Sequence, residues 1–270
     1  MIDILNKIVE AKKIRVSELK KIKSIEEIKK QAQSIKTLSR FYSAIKRLPN
    51  EPIKLIAEIK KASPIKGPLK EYDVLKMADL YVSAGADAIS VITEEDFFLG
   101  SPEFLIKIKE NYPHVPVLRK DFIFDEYQIY ESKLLKADAI LLIACILSKQ
   151  QCKNLYELAK SLQMDVLFEV HNEEDLEKAF FAGVNIIGIN NRNLKTMEID
   201  LNTTLRLKNL IAEDKVIVSE SGISERAHVD KIKNGIDAIL VGTSIVLSDN
   251  PVEKIKELLL NNKVNFSYYI

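Results

Sequence analysis

Short apolar runs alternate with longer amphipathic segments along most of the chain. Four of the apolar runs share one phrase, in which an Asp or Asn near the start is followed by mostly branched apolar residues. These runs are GADAISVI from Gly85, KADAILLI from Lys136, GVNIIGIN from Gly183 and GIDAILVG from Gly235. The phrase is typical of a helix end followed directly by a buried strand.

Four more strands are expected between these phrases, at residues 54–59, 115–118, 165–170 and 215–219. Amphipathic segments separate the strands, for example residues 103–110, 149–161 and 173–181. Strands that alternate with helices form parallel βαβ units, and eight such units predict a (β/α)8 TIM barrel. The alternative is an open doubly wound sheet, which normally carries a Gly-rich phosphate turn after its first strand. This sequence has no such turn there.

Residues 1–48 precede the first strand and are expected to form two helical stretches, at residues 4–13 and 24–48. An eight-unit barrel does not need them. We therefore predict an N-terminal helical extension, residues 1–48, packed on a catalytic barrel of residues 49–270, either as a lid over one mouth or as a packing extension. The chain holds only eight Pro and eight Gly and no linker-like tract, which favours a single domain overall.

Composition narrows the choice of partners. Forty Lys and Arg residues against thirty-nine Asp and Glu residues give a net charge of +1, so no global field attracts nucleic acid or a membrane. The longest apolar run, residues 139–147, is expected to be a buried strand, because a membrane-spanning helix needs roughly 20 apolar residues. Cys145 and Cys152 are the only cysteines in the sequence, and we expect a reduced, cytoplasmic protein, a monomer or weak oligomer.

The predicted strand ends carry most of the candidate chemistry, and in such barrels these ends meet at the active-site mouth. Glu58 and Lys60 are two residues apart at the end of the first strand, so they share a face, and a carboxylate beside an ammonium suits proton transfer. A surface salt bridge is the alternative interpretation. The other polar strand ends are Arg119, Lys120 and Asp121, Glu169, Asn190, Asn191 and Arg192, and Ser219, Glu220 and Ser221.

Small residues follow the last two strands, namely Ser221 with Gly222 and Gly242 with Thr243. Backbone N–H groups there suit a phosphate, although tight turns alone would also explain the glycines. Phe97 and Phe98 lie in the loop after the second strand, where they either stack on a planar substrate ring or anchor the loop. The sequence contains three histidines, scattered through different units: His114, His171 and His228. We therefore expect no metal site, and we assign the chemistry to Lys and Glu.

Seven segments together resemble the indole-3-glycerol-phosphate synthase family: AEIKKASPIKG, VITEEDFFLGS, LRKDFI, LFEVHNEEDL, IIGINNRNL, SESGI and LVGTS. The resemblance extends from the N-terminal helices to the eighth strand. It implies a carboxy-lyase of tryptophan biosynthesis without metal or organic cofactor. Its substrate would be a phosphorylated, anthranilate-derived carboxyphenylamino deoxyribulose, which undergoes ring closure, decarboxylation and dehydration to indole-3-glycerol phosphate.

The resemblance also implies residue roles. Lys120 resembles the general acid that protonates the substrate carbonyl during ring closure, and Glu169 resembles the base of the later dehydration. Residues that would position and polarise the substrate are Glu58, Lys60 and Asn190. The implied substrate contacts are Ser63, Phe98, Arg192 and Ser221, and the implied phosphate contacts are the backbone amides of Gly222, Gly242 and Thr243.

Three positions depart from the family's usual pattern. Ile65 replaces a second Ser in the SPSKG phrase, Glu126 replaces a frequent Pro and Lys136 a frequent Gly. Only the change at Ile65 bears on substrate grip, and none touches a proposed proton carrier.

Two other function classes stay open. A sister barrel acting on a phosphoribosyl substrate would share the phosphate site but would usually work with Asp or Cys rather than with Lys120 and Glu169. A non-catalytic scaffold would use the basic segment LKKIKSIEEIKKQ to bind a partner. Glu26 and Glu27 within that segment favour a solvated helix face instead.

Overall fold

The computed structural model describes residues 4–36 and 39–259. Eight parallel strands within them form a closed barrel, in which each strand pairs with the next along the chain and the last pairs with the first. The strands are β1 Lys54–Ile59, β2 Ala88–Ile92, β3 Val117–Lys120, β4 Ala139–Ile143, β5 Asp165–Val170, β6 Ile186–Asn190, β7 Val216–Glu220 and β8 Ala238–Val241. The predicted (β/α)8 barrel is confirmed.

Helices surround the barrel. The N-terminal helices are α1 Ile4–Ile22, α2 Ile25–Ser34 and α3 Phe41–Ile45. Those that follow β1 are α4 Val74–Ser83, α5 Pro102–Asn111, α6 Glu126–Leu134, α7 Lys149–Ser161, α8 Glu173–Ala182, α9 Asn202–Lys208, α10 Arg226–Ile232, α11 Thr243–Val246 and α12 Pro251–Leu259. Side-chain caps begin several of them, as where Ser148 accepts the backbone N–H of Gln151 at the start of α7. No helix in the described part of the chain is long and apolar enough to cross a membrane.

Side-chain parity decides which residues face the barrel interior. Ile56, Leu118, Leu167 and Val218 belong to one buried cluster that fills the interior. Residues two positions later on the same strands face the same way, at the C-terminal end of the barrel. That parity directs Glu58, Lys120, Glu169 and Glu220 into a single mouth.

The Asp of the repeated phrase has a structural role. Asp87, Asp138 and Asp237 each accept the backbone N–H of a residue near the start of an earlier strand, at 2.8 Å, 2.8 Å and 2.9 Å. Each carboxylate thereby joins the loop before one strand to the N-terminal end of the strand next to it. The repeat therefore reflects a bracing hydrogen bond at the bottom of the barrel, away from the mouth.

The N-terminal helices differ from the prediction in their bounds. The first stretch, expected at residues 4–13, continues to Ile22, and the second, expected at 24–48, is divided into α2 and α3. Ser24 caps α2 by accepting the backbone N–H of Glu27. Phe41 and Ile45 of α3 are fully buried with the interior-facing barrel residues, so α3 closes the bottom of the barrel.

Three strands have bounds that differ from the predicted ones. The strand expected over residues 139–147 ends at Ile143, and a 3-10 turn, Ala144–Ile146, follows it. The strand expected at 115–118 runs from Val117 to Lys120, since Pro116 has no N–H for the ladder. The strand expected at 215–219 is shifted by one residue, to Val216–Glu220.

Candidate active site

A cavity of about 750 Å³ opens at the C-terminal ends of the barrel strands. All twelve residues predicted for the site line it: Glu58, Lys60, Ser63, Phe98, Lys120, Glu169, Asn190, Arg192, Ser221, Gly222, Gly242 and Thr243. The fold therefore brings together side chains from β1, β3, β5 and β6 and from the loops that follow β2, β7 and β8.

Glu58 and Lys60 form the predicted pair at the C-terminal end of β1, where Lys60 directly follows the strand. The Lys60 ammonium lies 3.5 Å from a carboxylate oxygen of Glu58, and both side chains are largely buried. The same ammonium lies 5.5 Å from the centre of the Phe98 ring, a cation–π contact. A Cβ atom on Gly242 would lie 2.6 Å from the Glu58 carboxylate. Glycine at position 242 thus leaves room for Glu58 as well as for any ligand.

Lys120 is paired with two carboxylates inside the mouth. Its ammonium lies 2.7 Å from Glu220 and 3.4 Å from Glu169. Burial acts to lower the pKa of Lys120, but Glu220, Glu169 and Glu58 outweigh burial and raise it. Lys120 therefore holds its proton firmly and is a cation at neutral pH.

The two carboxylates beside Lys120 differ in their proton affinity. Burial, with the negative charges of Glu169 and Glu58, raises the pKa of Glu220 despite the attraction of Lys120. Burial acts in the same direction on Glu169, but Lys120 and then His171 outweigh it and lower the pKa of Glu169. Neighbouring carboxylates with pKa values moved in opposite directions are typical of acid–base sites.

His171 lies behind Glu169. Its Nε2 lies 3.2 Å from Glu169, and its Nδ1 lies 3.3 Å from Asp175, on the first turns of α8. Burial acts to lower the pKa of His171, but contacts with Asp175, Cys145 and Glu169 raise it to about 12. A cationic imidazole here favours the ionised form of Glu169.

The ends of β6, β7 and β8 form another wall of the cavity. The Asn190 side-chain oxygen accepts the backbone N–H of Arg192 at 3.0 Å, which fixes the turn after β6. Ser221 and Gly222 both have left-handed backbone conformations, with φ of 66° and 81°. A Cβ atom on Gly222 would lie 2.3 Å from Ile199, so only glycine fits this turn.

Aromatic rings form the wall opposite. Phe98 packs against Phe122 with ring centres 6.1 Å apart. The Phe98 loop is held by the buried carboxylate of Glu94, which accepts the backbone N–H groups of residues 96–98. Ile65, which departs from the family pattern, also lines the cavity and is 57% exposed.

Sequence reasoning missed several residues of this site. Glu220 was noted at a strand end but given no role, although its parity with the interior residue Val218 predicts an inward carboxylate. Phe122 and His171 were not placed in the site at all. Residues of α1 that line the cavity, Ile4, Leu5 and Ile8, carried no local sign of that position.

Metal ligands do not assemble in the described residues, where no group of three or more His, Cys, Asp or Glu side chains could hold an ion. The titratable groups that lie close together at this end of the barrel are Lys120, Glu169, Glu220 and His171. Lysine and carboxylate groups so arranged can carry out acid–base chemistry.

The chain is similar to known proteins over nearly its whole length. A family model described as indole-3-glycerol phosphate synthase matches residues 5–258. A relative of that name from Endomicrobium trichonymphae is 46% identical over 94% of this chain and 99% of its own. Another from Thermoanaerobacter pseudethanolicus is 44% identical over 96% and 98%.

A solved structure, 3-hexulose-6-phosphate synthase from Salmonella typhimurium, is similar with a TM-score of 0.62 at 19% identity, covering 76% of this chain and 96% of that one. At that identity the likeness concerns the barrel fold alone. The family model and the relatives, by contrast, extend over nearly the whole chain, including every strand end that lines the cavity. The chain belongs to the indole-3-glycerol phosphate synthase family.

Proposed function

We propose that Lys120 and Glu169 carry the proton transfers of the family's reaction in this cavity. Members of the family are carboxy-lyases of tryptophan biosynthesis, and this chain acts as one. The reaction closes the indole ring of the carboxyphenylamino deoxyribulose phosphate and releases carbon dioxide and water. The observation that carries the proposal is the Lys120 ammonium inside the mouth, 2.7 Å from Glu220 and 3.4 Å from Glu169.

Substrate orientation follows from the two walls of the cavity. The aromatic ring of the substrate would pack against Phe98 and Phe122, beside the Lys60 ammonium. The phosphate would bind the backbone N–H groups of Gly222, Gly242 and Thr243, and Ser221 would contact the substrate beside them. This orientation leaves the substrate carbonyl between the walls, within reach of the inward-facing groups. Ser63, Arg192 and Asn190 would complete the contacts.

Lys120 is suited to the first step. As the ring carbon attacks the carbonyl carbon, negative charge develops on the carbonyl oxygen, and Lys120 donates its proton there. Loss of carbon dioxide then restores the aromatic ring. Glu169, kept ionised by Lys120 and His171, accepts a proton from the substrate in the later dehydration step. The leaving hydroxyl takes a proton from an ammonium of the cavity, Lys60, and departs as water. Glu58 and Lys60 would polarise and position the substrate.

The decisive experiment compares Lys120→Met with Glu169→Gln in a rapid-quench assay on carboxyl-labelled substrate. Loss of a general acid lowers the rate about 10² to 10⁴-fold, so Lys120→Met should release little labelled carbon dioxide. Glu169→Gln should release carbon dioxide faster than it forms indole-3-glycerol phosphate. Lys153→Met, on the outer helix α7, is the control and should retain wild-type rates. Normal carbon dioxide release by Lys120→Met would remove Lys120 from this role.

The N-terminal segment contributes to this function at both ends of the barrel. Ile4, Leu5 and Ile8 line the catalytic cavity, whereas Phe41 and Ile45 close the bottom. We therefore propose that residues 1–48 are an extension of the catalytic barrel of residues 49–270 rather than an independent unit. A cytoplasmic location, the absence of a nucleic-acid partner and a monomeric or weakly oligomeric state stay predictions.

A further inference from the structure

Lys12 is a buried lysine in the middle of the apolar face of α1. The buried residues of this helix are Ile8, Lys12 and Val16, which recur every four positions on one face. Lysine is almost never buried this deeply unless its charge is paired. The Lys12 ammonium lies 3.0 Å from Asp121, with side-chain exposures of 4% for Lys12 and 0% for Asp121.

Asp121 follows Lys120 directly and is fully occupied by donors. One carboxylate oxygen binds Lys12 and accepts the backbone N–H of Phe122 at 2.8 Å. The other accepts the Thr93 hydroxyl at 2.6 Å and the Arg119 guanidinium at 3.3 Å. The carboxylate therefore fixes the turn between the proposed acid and an aromatic residue of the cavity wall.

The same network holds the backbone of Lys120. Thr93 donates its own backbone N–H to the carbonyl of Lys120 at 3.1 Å, while its hydroxyl binds Asp121. Arg119 bonds Glu131 and Ser132 of α6, at 2.6 Å and 2.9 Å. The residues on either side of Lys120 are thus tied to α1 and α6, while the Lys120 side chain points into the mouth.

Stability alone does not account for a buried charge at position 12. Two cations, Lys12 and Arg119, balance two carboxylates, Asp121 and Glu131, so the ion pairs form one closed cluster. Replacing buried ion pairs by apolar residues is often neutral or stabilising, because the charges must be stripped of water. Hydrogen bonds are directional, whereas apolar packing is not, so such a cluster fixes the relative positions of its residues better than apolar packing does.

We infer that Lys12 is a positioning residue that, through Asp121, holds the end of β3 so that Lys120 meets the substrate carbonyl. This inference rests on the proposed role of Lys120. It assigns to the N-terminal helix a part in the proton-transfer step in addition to covering the substrate with Ile4, Leu5 and Ile8.

The test uses Lys12→Met, which keeps the length and apolar stem of the side chain and removes the ammonium. Arg15→Met is the matched control, because Arg15 lies one turn later on α1 and pairs with Glu95 and Asp96, in the loop after β2. Both variants are made in the wild-type and in the Lys120→Met background, and the thermal unfolding midpoint of each protein is determined. The kinetic constants kcat and KM are then measured at a temperature well below that midpoint.

Misplacing a catalytic group by about 1 Å lowers the rate by up to about 10²-fold. We expect Lys12→Met to lower kcat at least about tenfold with little change in KM, and Arg15→Met to stay within about twofold of wild type. In the Lys120→Met background, Lys12→Met should cause no further loss, because residues that act through one group are not additive.

An equal fractional loss in both backgrounds, or a kcat for Lys12→Met like that of Arg15→Met, would overturn the inference. If Lys12→Met does not fold, Asp121→Asn, which keeps the shape of the carboxylate, undergoes the same comparison. If the proposed role of Lys120 is itself wrong, the result differs from either of these outcomes, because Lys120→Met alone would then retain full activity.

Discussion

Gly188, in the middle of β6, makes room for the Glu220 carboxylate. A Cβ atom built on Gly188 would lie 2.1 Å from a carboxylate oxygen of Glu220 and 3.1 Å from a methyl group of Leu167. Ordinary contact begins near 3.4 Å, so in Gly188→Ala the carboxylate oxygen must retreat by about 1.3 Å. The other oxygen of the same carboxylate binds Lys120 at 2.7 Å, and we expect the retreat of the carboxylate to lengthen or break this bond.

The expected loss follows from this displacement. Lys120 would lose its nearest anionic partner and turn toward Glu169, which already lies 3.4 Å away. A displacement of about 1 Å in a catalytic group lowers the rate by about 10²-fold, and we expect that decrease in kcat for Gly188→Ala. Overpacking of a core position by one methyl group costs about 1 to 3 kcal/mol of stability, which a barrel of this size tolerates.

The assay measures kcat, KM and thermal unfolding for Gly188→Ala alone and combined with Glu220→Ala. Removing the Glu220 side chain removes the collision, so the added methyl group should then cause little further loss of kcat. Ile187→Val is the control, because it changes a buried residue of the same strand without touching a polar group. A kcat for Gly188→Ala within about twofold of wild type, at full folding, would refute the reasoning.

Two further predictions concern the N-terminal segment and His171. Deleting residues 1–34 should leave a folded barrel with higher KM and lower kcat, whereas deleting residues 1–48 should also remove Phe41 and Ile45 and unfold the protein. The longer deletion is expected to unfold the protein because loss of one buried Phe alone costs about 3 to 5 kcal/mol. Circular dichroism measures folding and kinetics measures activity, so together they distinguish the two outcomes. The raised pKa of His171, about 12, means that its stabilising contribution is complete below pH 6.5 and decreases as pH rises toward the folded value. Urea unfolding should therefore show wild-type stability falling between about pH 7 and 9 by on the order of 1 kcal/mol per pH unit more than in His171→Asn. Parallel pH profiles for the two proteins would contradict this assignment.

Much of the barrel was predictable because each strand carries its own local information. The phrase around Asp87, Asp138 and Asp237 marked three strand starts, and the structure shows why, since each carboxylate braces a neighbouring backbone N–H. The bounds of β1 and β5 agree with the prediction at both ends. The predicted bounds were less accurate for the strand that Pro116 precedes and for the strand that a 3-10 turn follows. Hydrogen bonding to neighbouring strands decides where a ladder begins and ends.

The site residues were predictable where a polar residue at the end of an apolar strand has the same side-chain parity as the buried interior residues before it. Glu58, Lys120 and Glu169 each lie two residues beyond a buried interior residue of their own strand, so local alternation already directs them inward. Glu220 has the same parity, and applying the rule to β7 would have placed it in the site. His171 has the same parity two residues beyond Glu169, which is consistent with their contact. Its second contact, with Asp175, depends on the turn of the chain from β5 into α8.

By itself, the sequence determined the eight strands, the mouth at which their polar ends meet and the family. Period-two alternation and the local phrases act within a few residues, so they are readable along the chain. Only the tertiary structure decided that Lys12, more than 100 positions before Lys120, binds Asp121 directly after β3. It also decided that Gly188 leaves space for Glu220 and that α3 closes the bottom of the barrel. These contacts depend on how helices and strands remote in sequence pack, and the residues involved carry no local pattern that specifies their partners.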